Sequence, residues 1–118
     1  MAEWMFDRNG KAQIIQENSC LRDRNGNLTA WIQGNNVYSL HGNHIGWFDS
    51  GVIYDSNNDA LAFSRNRTGP LPNVPGCSGT PGIPGFSGVP GRPGFAGAPG
   101  RPGYGGWSNH DVRKYFEA

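Results

Sequence analysis

A sixteen-residue period runs four times through the first half of this chain without a gap, and it limits the fold more than any other feature. Met5, Leu21, Val37 and Ile53 share one column, and Phe6, Arg22, Tyr38 and Tyr54 share the next. Asp7, Asp23, Ser39 and Asp55 follow. Two columns later come Asn9, Asn25, His41 and Asn57, and then Gly10, Gly26, Gly42 and Asn58. Further on, Ile15, Trp31, Trp47 and Phe63 share a column, preceded by Ile14, Ala30, Gly46 and Ala62. A period of this kind marks one supersecondary unit that buries its apolar face only against its neighbours.

The unit reads as a hairpin. Asn-Gly is the strongest short hairpin signal, because a type I′ turn needs positive φ at both central residues. His-Gly and Asn-Asn take that place in the other two copies, and Asn and His tolerate positive φ. The Asp two residues before the turn can accept bonds from turn amides. Short runs rich in Ile, Val, Trp, Tyr and Phe flank the turn, as strands require.

An isolated hairpin is unstable in water, so the four are predicted to close into a ring with pseudo-four-fold symmetry. Closure also removes exposed edges. The Met5 column and much of the Ile15 column then point inside, with Ala30, Gly46 and Ala62 near the axis. Residues 1–68 form this all-β head.

The phrases "MFDRNGKA", "LRDRNGNL", "VYSLHGNH" and "VIYDSNNDA", with "GWSNHDVRKYF" at the end, resemble the four-fold β flower proteins, short bacterial proteins of uncharacterised function. The resemblance covers the head and the last dozen residues and implies the closed four-hairpin arrangement. It supplies no catalytic residue. It implies a proline- and arginine-rich tail, from which glycine at every third place departs.

Residues 69–106 are that tail. Glycine stands at 76, 79, 82, 85, 88, 91, 94, 97, 100, 103 and 106, which is eleven Gly-X-Y triplets. Only glycine fits every third place where three polyproline-II chains share an axis. A collagen-like trimer is therefore one reading. Against it, proline stands at Y (Pro81, Pro84, Pro90, Pro93, Pro99, Pro102) and never at X in these triplets. The X positions are unusually apolar, among them Ile83, Phe86, Val89, Phe95, Ala98, Tyr104 and Trp107. With three residues per turn these side chains line one face, suited to packing on the head, a second tail or a partner's groove. A nine-residue repeat is superposed, "GFSGVPGRP", "GFAGAPGRP", "GYGGWS". A plain linker is the third reading.

Residues 107–118 are predicted as a short helix with Ser108 at the N-cap and Asp111 at N3. Trp107 and Val112 form the matching hydrophobic staple. Val112, Tyr115 and Phe116 make one apolar face. A helix this short is unstable alone, so it is expected to dock.

Chemistry is sparse. His41 and His44 flank a turn without companion Cys or carboxylate ligands at metal spacing. "DRNG" lacks the later ligands of a calcium loop. No nucleophile elbow, phosphate-cradling loop or Cys–His pair is present by motif, so neither an enzyme nor a cofactor site is expected. Ten basic residues face nine acidic ones, without the basic face of a nucleic-acid binder. Arg92, Arg101, Arg113 and Lys114 leave the C-terminal half mildly basic. No run reaches the ~18 apolar residues of a membrane span. The N-terminal residues lack the pattern of a secretory signal. That favours the cytoplasm and reduced thiols at Cys20 and Cys77. A virion or spore-surface component fits the same features.

A head of this length buries only about 60% of its unfolded surface, so help from the tail or from other copies is expected. The function expected is structural: self-association into a homo-oligomer, a trimer if the tail braids. Phe86, Phe95, Tyr104, Trp107, Val112, Tyr115 and Phe116 make the docking contacts. The alternative is a module that stacks glycans or cations on Trp31, Trp47, Tyr38, Tyr54 and Phe63.

Overall fold

The computed structural model describes residues 2–68, 71, 75–77, 79–86, 88–89, 91 and 93–117. Eight antiparallel strands form a closed barrel in chain order. They are β1 (Ala2–Phe6), β2 (Ala12–Glu17), β3 (Cys20–Arg22), β4 (Leu28–Gln33), β5 (Asn36–Ser39), β6 (His44–Asp49), β7 (Val52–Tyr54) and β8 (Ala60–Ser64). β8 returns to β1, with Met5 opposite Ser64 and Phe6 opposite Phe63, which leaves no open edge. A short helix, α1 (Val112–Glu117), follows the tail.

Closure is helped by bulges. The register shifts at Met5/Phe6, Leu21/Arg22, Val37/Tyr38 and Ile53/Tyr54, each sixteen residues after the last. The residues skipped on the return strands are Gln13, Thr29, Ile45 and Leu61. An extra residue bends its strand and increases the local twist.

The turns differ from the predicted type I′. Gly10, Gly26, Gly42 and Asn58 have positive φ, and the residues before them do not. Asp7 accepts a bond from the Gly10 amide, and its own amide donates to Lys11. This is a three-residue loop, a type I turn closed by one left-handed residue. Asp7 Oδ1 accepts from the amides of Asn9 and Lys11 at 2.9 and 3.0 Å. Asp23 and Asp55 repeat the pattern at the same lengths. Ser39 repeats it more loosely, at 3.3 and 3.2 Å. The mirror-type turn belongs to a connection between copies: both Ser50 and Gly51 have positive φ.

Neighbours along a strand face opposite sides of a sheet, and this decides where each column lies. Met5, Leu21, Val37 and Ile53 are buried in one cluster with Ile14, Ala30 and Ala62, which fills the barrel. The expectation that the Ile15 column shares this interior is corrected. Ile15, Trp47 and Phe63 pack with Trp4 and Phe6 in a second cluster, and Trp31 packs with Cys20 and Tyr38 in a third. They are adjacent in sequence to interior residues and therefore face outward. The tail buries them: Leu71, Cys77, Phe86 and Trp107 cover the second cluster and Phe95 the third.

Helix α1 lies against the barrel end that carries the bulges, with Val112 and Phe116 joining the interior cluster. The Thr29 hydroxyl donates to the Phe116 carbonyl at 3.1 Å. The cap is Asp111, not Ser108. Asp111 Oδ1 accepts from the Arg113 and Lys114 amides. Ser108 is buried and donates instead to Asp55 Oδ2 at 2.6 Å. Trp107 and Val112 lie in different clusters, so the staple does not form. Asp111→Ala is expected to cost about 1 kcal/mol, read as a lower urea midpoint with an unchanged slope.

Candidate functional site

The turns of the barrel and the tail meet at regular intervals. A Cβ at Gly10 would lie 2.0 Å from the Gly76 carbonyl oxygen, one at Gly26 2.2 Å from that of Gly85, and one at Gly42 2.2 Å from that of Gly94. Sixteen residues of head therefore match nine of tail. At the fourth place Asn58 carries a side chain, and contact is made through it. Its amide donates to the Pro102 carbonyl at 2.8 Å, and its oxygen accepts from Arg101 Nε at 2.7 Å.

The residue after each of these tail glycines meets the head column Phe6, Arg22, Tyr38, Tyr54. Cys77 enters the cluster that holds Phe6. Phe86 lies under the guanidinium of Arg22, 4.5 Å from the ring centre. Phe95 stacks on Tyr38 at 4.3 Å with the planes 9° apart. Tyr104 meets Tyr54 edge-on at 5.8 Å. Arg22 is 2% exposed, and its charge is met by Glu17 at 3.1 Å and the Gly26 carbonyl at 2.9 Å. Arg101 lies over Tyr54 and bonds Asp49, holding that carboxyl below the usual carboxylate range.

The five rings offered as a ligand platform, Trp31, Trp47, Tyr38, Tyr54 and Phe63, are buried at 1, 4, 5, 5 and 0% exposure. With the tail in place they present no stacking face to solvent. Of the docking residues, Phe86, Phe95 and Trp107 are half-buried on the head, Val112 and Phe116 are buried, and Tyr104 stays 41% exposed. The single apolar face expected of the X positions is not formed. Ile83 and Val89 remain 46 and 54% exposed. Pro90 and Arg92 lie outside the described residues. Neither Cys20 nor Cys77 is part of a disulfide.

The barrel mouth is covered unevenly. Helix α1 rests over β2 and β4. The incoming chain reaches the fourth copy, where the Ala60 amide donates to Gly106 and the Ala60 carbonyl accepts from Ser108, both at 2.7 Å. Over the third copy a cleft of about 690 Å³ stays open. Its head side carries Thr29, Ser39, His44, Ile45 and Ser56, and its other wall carries His110, Asp111, Lys114, Tyr115 and Phe116. Tyr115 is fixed there: its hydroxyl donates to the Ile45 carbonyl and accepts from the Ser56 amide at 2.9 Å. Sequence reasoning missed this cleft, although the departures of the third copy from the repeat were visible.

His44 is packed edge-on against Tyr38 and Trp47 and lies 3.1 Å from Asn36 Oδ1. Burial holds its pKa below the ordinary 6.5. The unfolded chain therefore takes up this proton first, so His44 contributes stability that is complete above about pH 6.5 and is lost as pH falls below it. The melting temperature is expected to drop between pH 7.5 and 5.5. His44→Leu, which installs the residue found at the equivalent Leu28, is expected to flatten that slope. Among the described residues no three His, Cys, Asp or Glu side chains converge as metal ligands. No described helix is long and apolar enough to cross a membrane.

The family described as "4-fold beta flower protein" matches residues 3–116. No curated protein and no solved structure matches the chain.

Proposed function

The chain belongs to the four-fold β-flower family, and from that premise we propose that it is a non-catalytic structural module which assembles with copies of itself through the outward face of its tail. The tail is a polyproline-II belt, and four sixteen-residue hairpins form the hub it encircles. Nine polyproline-II residues span about 28 Å, and a quarter of the rim of a disc 36 Å across is also about 28 Å. The radius of gyration, 13.2 Å, matches the ~13.5 Å of a compact chain of this length.

The observation that carries the proposal is glycine that the monomer does not use. At Gly76, Gly79, Gly82, Gly85, Gly88, Gly91, Gly94, Gly97, Gly100 and Gly103 a Cβ would meet nothing within 4 Å. None of these has positive φ, so among the described residues neither strain nor crowding requires glycine there. A glycine stripe lets a second backbone approach closely, and exposed Ile83 and Val89 flank it with apolar surface. A three-chain braid would need Phe86 and Phe95 to leave the head. Side-by-side packing of intact belts does not, and is favoured.

Light scattering at several concentrations tests this. The expected mass is a fixed multiple of 12.8 kDa. The double substitution Gly82→Ala, Gly91→Ala is expected to give the monomer mass with stability changed by less than about 0.5 kcal/mol, as for surface positions. A wild-type monomer at all concentrations would remove the proposal.

A further inference from the structure

We propose that the open cleft over the third copy binds a small organic anion, a carboxylate or phosphate borne on a flat apolar body. A volume near 690 Å³ falls within the range of small-molecule sites, which combine apolar walls with a few placed polar groups. Tyr115, Phe116 and Ile45 supply the apolar wall, and Lys114 and His110 stand on the rim.

The repeat identifies the position at which charge has been removed. Three copies carry Asp at the turn (Asp7, Asp23, Asp55) and the third carries Ser39. In the first and fourth copies the second carboxylate oxygen turns toward the mouth, where it meets Gln13 at 3.0 Å and Ser108 at 2.6 Å. Serine keeps the turn bonds but has no second oxygen, so the cleft faces Lys114 without an opposing carboxylate on that strand. His44 likewise stands where the other copies have Ala12, Leu28 and Ala60. Ser39 is not required by the turn, since the other copies close with Asp there, whereas His44 also packs against Tyr38 and Trp47 and lies 3.1 Å from Asn36 Oδ1. Both line the cleft. Local rules broken without a folding reason mark functional positions. Two carboxylates stand at the cleft: Asp111 already accepts two helix amides through Oδ1, and Asp55, whose Oδ2 lies 4.0 Å from His110 Nε2, already accepts the Ser108 hydroxyl.

The test titrates the full chain at pH 7 with benzoate and with its neutral twin benzamide, following the histidine ring proton resonances. Benzoate is expected to move His44 and His110 saturably and to leave His41, which is outside the cleft, unmoved. Benzamide should bind at least roughly tenfold more weakly, a difference of one charged contact. Ser39→Asp restores the residue of the other copies, so it is expected to fold with an equal or higher melting temperature and to weaken benzoate by a similar factor. Lys114→Met should weaken it as well. The proposal is overturned if benzoate gives no saturable shift up to tens of millimolar. Equal binding of benzamide, or undiminished binding to folded Ser39→Asp, overturns it too.

Discussion

Replacing Trp31 with alanine is expected to cost about 3–5 kcal/mol, the range for deleting a large aromatic side chain from a packed interior. Trp31 is 1% exposed and packs with Cys20, Tyr38, Leu28 and the tail residue Phe95. A domain of this size has about 5–15 kcal/mol in total, so the variant should melt roughly 15 °C lower or fail to fold. Thermal denaturation by circular dichroism reads the result. If Trp31 were instead a stacking platform for a ligand, the variant would melt near the wild-type temperature. The outward-facing column is a second core, covered by tail residues.

Ending the chain at Thr68 is expected to have a still larger effect. It removes Val112 and Phe116 from the barrel end and uncovers the clusters around Trp47, Phe63 and Trp31. Burial of Val112 and Phe116 alone is worth about 1.5–3 kcal/mol each. Phe86 and Phe95 add their half-buried rings. The shortened chain should lose cooperative melting and near-ultraviolet signal and should bind hydrophobic dyes. A shortened chain that melts cooperatively within a few degrees of the full one would show that the head folds alone and that the tail contributes only to association.

Much of the head was legible because one short unit is repeated. Asp7, Asp23 and Asp55 at the turns and Met5, Leu21, Val37 and Ile53 in the interior follow from turn chemistry and from period-two alternation. The same alternation places Ile15 and Trp31 outside, since Ile14 and Ala30 point in. Burial of large rings on that side becomes intelligible only once a cover is known. The turn type was misread because Asn-Gly serves both a two-residue loop and the end of a three-residue one, and strand register decides between them. The cap moved from Ser108 to Asp111 because Ser108 is drawn to Asp55, a long-range contact with no local signal. The belt had a readable signature. Gly76, Gly85, Gly94 and Gly103 begin four nine-residue units, the same number as the head copies, and Cys77 disguises the first. The cleft depends on where α1 and Ser108 come to rest, so sequence could flag Ser39 and His44 as departures but not place them in a cavity.

The central claim is that nine-residue tail units sit in register on sixteen-residue head units. The most direct measurement is the set of nuclear Overhauser contacts between aromatic rings of the full chain in solution. Contacts of Phe95 with Tyr38, of Tyr104 with Tyr54, and of Phe86 with the Arg22 side chain are expected. Tail rings that show no contact to the head, or contacts displaced by one copy, would contradict it.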